Sequence, residues 1–152
     1  MDGRTAEKNE VKIVKRDAAS PDTLRIFAEY DDFMLGFLGE DAKYYARYDS
    51  AENIQAVWLA YAGGETAGCA AFRGLSAEIG ELKRLFVKEE YRRRGVSRLL
   101  ARAVEEHARA SGCRILTLGT RATLAPAMAL YKSIGYHETN REGLYLEMEK
   151  TL

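Results

Sequence analysis

Apolar and polar residues alternate along Val11 to Arg16, which predicts a first strand. Ser20-Pro21-Asp22 then reads as a helix start, with Ser20 as cap and Pro21 at the first helical position. Leu24, Phe27, Tyr30 and Met34 recur at helical spacing, and the pattern runs toward Leu38-Gly39. A second short helix, rich in Tyr, is predicted over Glu40 to Tyr48. Ala56 to Tyr61 and Thr66 to Phe72 read as strands joined by the hairpin signal Ala62-Gly63-Gly64-Glu65. Glu78 to Val87 is the next strand. Val96, Leu99, Leu100, Ala103, Val104 and His107 then fall on one helical face. Cys113 to Gly119 follows as a strand, and apolar residues at helical spacing in the run from Ala125 then lead to Gly135, a helix-stop signal. A strand opening at Tyr136, a turn at Asn140-Arg141-Glu142-Gly143 and a last strand from Leu144 to Glu149 complete the chain. Hairpin strands followed by βαβ units predict a mixed sheet with helices on both faces.

At 152 residues the chain is one domain with a sizeable core. Residues 11–152 form that domain, and the polar residues 1–10 are expected to fray. The formal net charge is zero and the pI is about 6.8, which argues against nucleic acid as a partner. Cys69 and Cys113 each lie in apolar strand-like runs and read as small packed hydrophobes. Without a leader pattern or long apolar stretch, a soluble cytoplasmic protein with no membrane partner is expected. No metal-ligand constellation stands out, so no metal is expected. His107 belongs to an apolar stripe and reads as a packed histidine; His137 carries no assigned role.

The chemistry-bearing run is Val87-Lys88-Glu89-Glu90-Tyr91-Arg92-Arg93-Arg94-Gly95-Val96-Ser97-Arg98-Leu99-Leu100. It is a strand end, a basic turn and a helix start. Free amides at a helix N-terminus, the helix dipole and a flexible Gly95 make a site ready for phosphate. The run resembles the pyrophosphate loop of the GNAT superfamily of acyl-CoA-dependent N-acyltransferases. That family's pattern is Arg or Gln, two residues, Gly, one residue, then Gly or Ala; Ser97 departs from it at the last position. A second run, Ala125-Pro126-Ala127-Met128-Ala129-Leu130-Tyr131-Lys132-Ser133-Ile134-Gly135-Tyr136, resembles the family's closing helix, Ala-x-x-Leu-Tyr-x-x-x-Gly-Phe/Tyr. The two stand in the family's order, and the resemblance covers Ala56 to the C-terminus.

The resemblance implies a GNAT fold: an α/β (mixed α+β) domain whose mostly antiparallel sheet of about seven strands splays at its middle, flanked by about four helices. It implies acetyl-CoA as co-substrate and an amine as acceptor. Backbone amides across Arg93, Arg94, Gly95, Val96, Ser97 and Arg98 would hold the diphosphate, with Arg92 or Arg98 reaching the phosphates. Leu85, Phe86 and Val87 would pair with the pantetheine arm, and an amide near Phe86 or Val87 would polarise the thioester carbonyl. Tyr131 is the implied general acid, and Met128 lies on the same cofactor-facing helix. Many relatives carry Asn after the fifth strand; here Thr120 or Thr123 would take its hydrogen bond.

A Lys-type amine costs roughly 4 kcal/mol to neutralise at neutral pH. Glu81 matches the general base of the family's histone-acetylating branch, with Glu78 as a weaker substitute. Glu81, Lys83 and Leu85 share one strand face unless a bulge intervenes. Acceptor recognition would fall to Phe33, Phe37, Tyr44, Tyr45 and Tyr48 with Asp31, Asp32, Glu40 and Asp41, although most of these also fit a core and a solvated face. The alternative from another class is a module that binds or senses acyl-CoA without turnover; an enzyme for longer acyl chains is a third. Family members often dimerise, so a homodimer is also compatible.

Overall fold

The computed structural model describes residues 10–39 and 53–152. The strands are β1 (Val11–Arg16), β2 (Ala56–Ala62), β3 (Glu65–Gly74), β4 (Ile79–Val87), β5 (Ile115–Arg121), β6 (His137–Glu142) and β7 (Tyr145–Thr151). The helices are α1 (Pro21–Leu38), α2 (Val96–Ala110) and α3 (Ala125–Ser133), with a 3-10 turn at Glu89–Tyr91. Three α-helices are thus present among the described residues; the one expected over Glu40 to Tyr48 lies outside them. No described helix is long and apolar enough to cross a membrane.

The strands form one sheet in the order β1-β2-β3-β4-β5-β7-β6. All neighbours are antiparallel except β4 and β5. That parallel pair holds only at Ile79↔Ile115, Gly80↔Leu116 and Glu81↔Thr117. Beyond it β4 stays with β3 while β5 pairs with β7 along its whole length. The sheet therefore parts between β4 and β5 after Glu81 and Thr117. At the closed end the two strands come together over Gly80. A Cβ on Gly80 would lie 2.3 Å from the Phe72 ring, so the position has no room for a side chain.

One sheet face carries α1, whose Ile26 and Phe27 pack on Val57, Leu59, Cys69 and Ala71. The other carries α2 and α3, packed through Val96, Leu100, Val104, Ala108 and Tyr131 on Trp58, Phe72, Leu82, Leu116 and Met148. Each large apolar side chain buried this way contributes about 1.5–3 kcal/mol. Cys69 and Cys113 are buried free thiols, as their apolar surroundings imply. His107 is held edge-on between Trp58 and Phe72, with centroids 5.1 and 4.8 Å away.

Local signals set the element ends. Ser20 Oγ accepts from the Thr23 amide at 3.2 Å, and the Thr23 hydroxyl donates to the Asp17 carbonyl at 2.8 Å, which starts α1 at Pro21. The turn expected over Asn140 to Gly143 is shorter: β6 runs through Glu142, which pairs with Tyr145, leaving Gly143 and Leu144 as the link.

Candidate acyl-CoA site at the parted strands

The basic loop folds as its residue types require. Gly95 caps α2 in the left-handed conformation (φ 76), and Arg93 before it also has positive φ (64). No side chain caps the helix and no acid lies in its first turn. The first intrahelical bond runs from the Leu99 amide to the Gly95 carbonyl at 3.2 Å. The amides of Val96, Ser97 and Arg98 precede it and have no intrahelical acceptor, which is the arrangement that binds anions.

The arginines around the loop are not equivalent. Arg92 turns back: its Nε donates to the Val87 carbonyl at 3.1 Å and its guanidinium lies 5.4 Å from the Phe33 ring. Arg94 lies over Tyr91 at 5.6 Å. Arg98 donates to Ser133 Oγ at 3.0 Å, tying the first turn of α2 to the end of α3. Arg93 is exposed. A sequence reading leaves Arg92 and Arg98 open as phosphate ligands; in the structure each is drawn to a neighbouring element.

The strand feeding this loop is irregular. Ala71 pairs with Lys83 and Cys69 with Phe86, so three steps on β4 match two on β3. The extra residue is a β-bulge, and Arg84 sits in it at φ 52. A non-glycine residue in that conformation costs about 1–2 kcal/mol. The bulge corrects one expectation. Leu85 does not share a face with Glu81 and Lys83: Leu82, Leu85 and Val87 pack with the α2-side core, whereas Phe86 joins the α1-side cluster. The doublet Lys83-Arg84, two charges in a row within an alternating strand, is the sequence signal for it.

Glu81 occupies the last paired position before β4 and β5 part. Its Oε1 lies 3.1 Å from Arg73 Nε and 3.6 Å from Lys83 Nζ, and its side chain is 19% exposed. Glu78 is at the closed end, where its carbonyl receives the Arg114 and Ile115 amides and its carboxylate meets Arg114 at 3.6 Å. The geometry separates the two carboxylates and leaves Glu81 at the opening.

Across the sheet, Tyr131 of α3 is buried on the α2 face, its ring edge-on to Tyr136 at 5.9 Å. Met128 is half-buried against the same core, and Thr120, near the end of β5, is buried while Thr123 is exposed. The Tyr136 hydroxyl is buried with no hydrogen-bond partner among the described residues. Its burial first, then the charge of Glu105 and then Tyr131, hold the Tyr136 phenol far above the ordinary tyrosine range. On the α1 face, Phe86 contacts Tyr30 and Phe33 at 5.9 and 5.6 Å, and Phe33 stacks with exposed Phe37 at 6.2 Å. Tyr44, Tyr45, Tyr48, Glu40 and Asp41 fall outside the described residues. Spacing alone hides two of these contacts, Arg92 with Phe33 and Arg98 with Ser133, because each joins elements far apart in the chain.

Known proteins share this architecture. A solved structure, the PaiA N-acetyltransferase of Thermoplasma acidophilum in complex with coenzyme A, superposes with a TM-score of 0.76 at 19% identity, covering 94% of this chain and 99% of that one. The N-acetyltransferase YsnE of Bacillus subtilis, itself uncharacterised, is 35% identical over 81 residues, 52% of this chain and 54% of its own. The N-acetylaspartate synthetase of Xenopus tropicalis is 35% identical over 80 residues, 52% of this chain and 30% of its own. The chain thus spans about half or less of these two relatives. The parted sheet and the uncapped glycine-led helix agree with a match to the acetyltransferase (GNAT) family over residues 19–136, and the chain belongs to that family.

Proposed function

We propose that this protein transfers an acetyl group from acetyl-CoA to an amine. The observation that carries the reading is the parting of β4 and β5 after Glu81 and Thr117, with the uncapped start of α2 just beyond the end of β4. The diphosphate would rest on the amides of Gly95 to Arg98, with Arg93 and Arg94 supplying long-range positive charge. The pantetheine arm would lie along the open edge of β4 at Leu85 to Val87. A main-chain amide there would polarise the thioester carbonyl.

The reaction joins the amine nitrogen to the carbonyl carbon and breaks the carbon–sulfur bond. Glu81 would receive the proton the amine gives up, directly or through water. Tyr131, protonated at neutral pH by the ordinary properties of a phenol, would give its proton to the departing thiolate. The two residues approach the opening from opposite faces of the sheet, which suits a reaction where acceptor and leaving group lie on opposite sides of the carbonyl.

The acceptor stays at the level of an amine. The Xenopus relative is named for an amino-acid product. Aromatic Phe33 and Phe37 with Asp32 give the α1 side groups suited to a cationic acceptor, while the Asp31 carboxylate is paired with Arg84.

One observation favours a second reading, an acyl-CoA-binding module without turnover: Glu81 Oε1 is already engaged by two cations, Arg73 at 3.1 Å and Lys83 at 3.6 Å, as a structural ion-pair residue would be. Calorimetric titration with acetyl-CoA, followed by thiol release on a panel of primary amines, tests both. Binding with turnover supports the transferase. Binding without turnover on any amine supports the module, and no binding removes both.

A further inference from the structure

Arg84 stands in the bulge of β4 with a backbone conformation usual for glycine, and it is held there from both ends. Its carbonyl accepts from Cys69 Sγ at 3.3 Å, a buried thiol on the facing strand. Its guanidinium passes under α1, with one terminal nitrogen 3.1 Å from Asp31 Oδ1 and Cζ 4.7 and 5.1 Å from the rings of Phe27 and Tyr30. The side chain is 6% exposed whereas Asp31 is 60% exposed, so the arginine is the buried member and the helix reaches down to it. These contacts hold a conformation that the residue type disfavours.

The bulge has a consequence at the opening. It adds one residue to β4, and that reverses which side chains and main-chain groups face each way beyond it. Phe86 turns to Tyr30 and Phe33 on the α1 face. The Lys88 amide donates to the Ala67 carbonyl on β3, and the Val87 carbonyl is free of β3 and receives Arg92. Relaxing Arg84 into ordinary extended backbone would remove the bulge and rotate the Leu85 to Val87 amides by one register.

We propose that Arg84 is a positioning residue: its clamp on Asp31, Phe27 and Tyr30 fixes the bulge and thereby aims the Leu85 and Val87 amides, which face away from β3, at the thioester carbonyl. The proposal rests on the acyl-CoA reading of the opening. It differs from a purely structural role, which would change stability and leave carbonyl polarisation untouched.

The test reads the infrared carbonyl stretch of carbonyl-13C acetyl-CoA bound to the protein, so it needs no acceptor. Three proteins are compared: wild type, Arg84→Ala, which removes the side-chain clamp and keeps a residue that disfavours the left-handed backbone, and Asp31→Asn, which weakens the clamp from the exposed side. Wild type is expected to lower the stretch on binding. Arg84→Ala is expected to bind within about threefold of wild type, because the α2 amides are untouched, and to lose about half or more of that shift. Asp31→Asn is expected to fall between the two. A full shift in a folded Arg84→Ala overturns the proposal and leaves the site reading standing. If Arg84→Ala does not fold, a full shift in Asp31→Asn overturns it instead. Wild type that binds without any shift overturns the polarising amide and the role of Arg84 together; wild type that does not bind overturns the site itself.

Discussion

Glu105 Oε1 lies 3.0 Å from Lys150 Nζ, joining the middle of α2 to β7 inside the core that also holds Tyr131 and Tyr136. Glu105 is the one charged residue on the buried stripe of α2, and burying it requires a partner. Lys150→Met leaves that carboxylate buried and unpaired. The expected loss is about 2–3 kcal/mol, below the range for fully buried pairs because Lys150 keeps some solvent contact. Adding Glu105→Leu to the same protein removes the orphaned charge and should recover most of the loss. Urea denaturation of the two proteins checks it, and an equal loss in both would contradict it.

Gly95 opens α2 at positive φ, and open space surrounds the position a Cβ would take. Gly95→Ala therefore meets no clash and pays only the left-handed backbone, about 1 kcal/mol of stability. Gly95→Asp adds a carboxylate among the amides proposed for the diphosphate. Its affinity for coenzyme A should fall by at least about tenfold, or ~1.4 kcal/mol, while its circular dichroism stays that of Gly95→Ala. Calorimetry on the pair separates charge from strain; equal affinity in both would move the phosphate site elsewhere.

Much of this arrangement is legible in the chain because local chemistry decides it. The alternation of Val11 to Arg16 and the Ser20-Pro21 start of α1 coincide with the observed ends. The start of α2 at Val96 follows from Gly95. The less legible features depend on partners far away. The β4 bulge is written only as the Lys83-Arg84 doublet, and what stabilises it is Asp31 and two aromatic rings on another element. Arg92 binding the Val87 carbonyl beneath Phe33 depends on how α1 crosses the sheet, which no spacing encodes. The short link at Gly143 and Leu144 follows from cross-strand pairing of Glu142 with Tyr145, which extends both strands into a run rich in turn-forming residues.

His107 ties stability to pH. Burial between Trp58 and Phe72, then the nearby charge of Lys15, lower its pKa from 6.5. A histidine with a depressed folded pKa binds fewer protons folded than unfolded, so stability rises with pH in that range. Its contribution is complete above about pH 6.5 and declines as pH falls toward the lower folded value. His107→Gln should flatten the pH dependence of the urea midpoint between about pH 5 and 7. An unchanged slope in that variant would assign the dependence to other groups.

Glu81 is proposed as base while two cations share its Oε1. Glu81→Gln keeps the shape and hydrogen-bonding capacity of the side chain and removes the proton acceptor. On an accepting amine, kcat should fall by about 10²–10⁴-fold, with the acetyl-CoA dissociation constant unchanged. Rates should recover partially at high pH, where the amine arrives already neutral. Loss of cofactor affinity instead of rate would make Glu81 a structural partner of Arg73.

Tyr131 and Tyr136 face each other edge-on in the core. The Tyr136 hydroxyl is buried with no hydrogen-bond partner among the described residues, so it carries a desolvation cost with no return. Tyr136→Phe keeps the ring contact and should raise stability by about 1 kcal/mol, at the low end of the cost of an unsatisfied buried group. Tyr131→Phe also keeps the ring, so its effect should appear in chemistry: a fall in kcat of about 10²-fold with cofactor affinity retained, growing as pH rises and solvent supplies fewer protons to the thiolate. Thermal unfolding and pH–rate profiles on the two variants read these effects independently. A rate loss confined to Tyr136→Phe would exchange the roles of the two tyrosines, since either ring satisfies the packing and only the hydroxyl that meets the sulfur can serve as the acid.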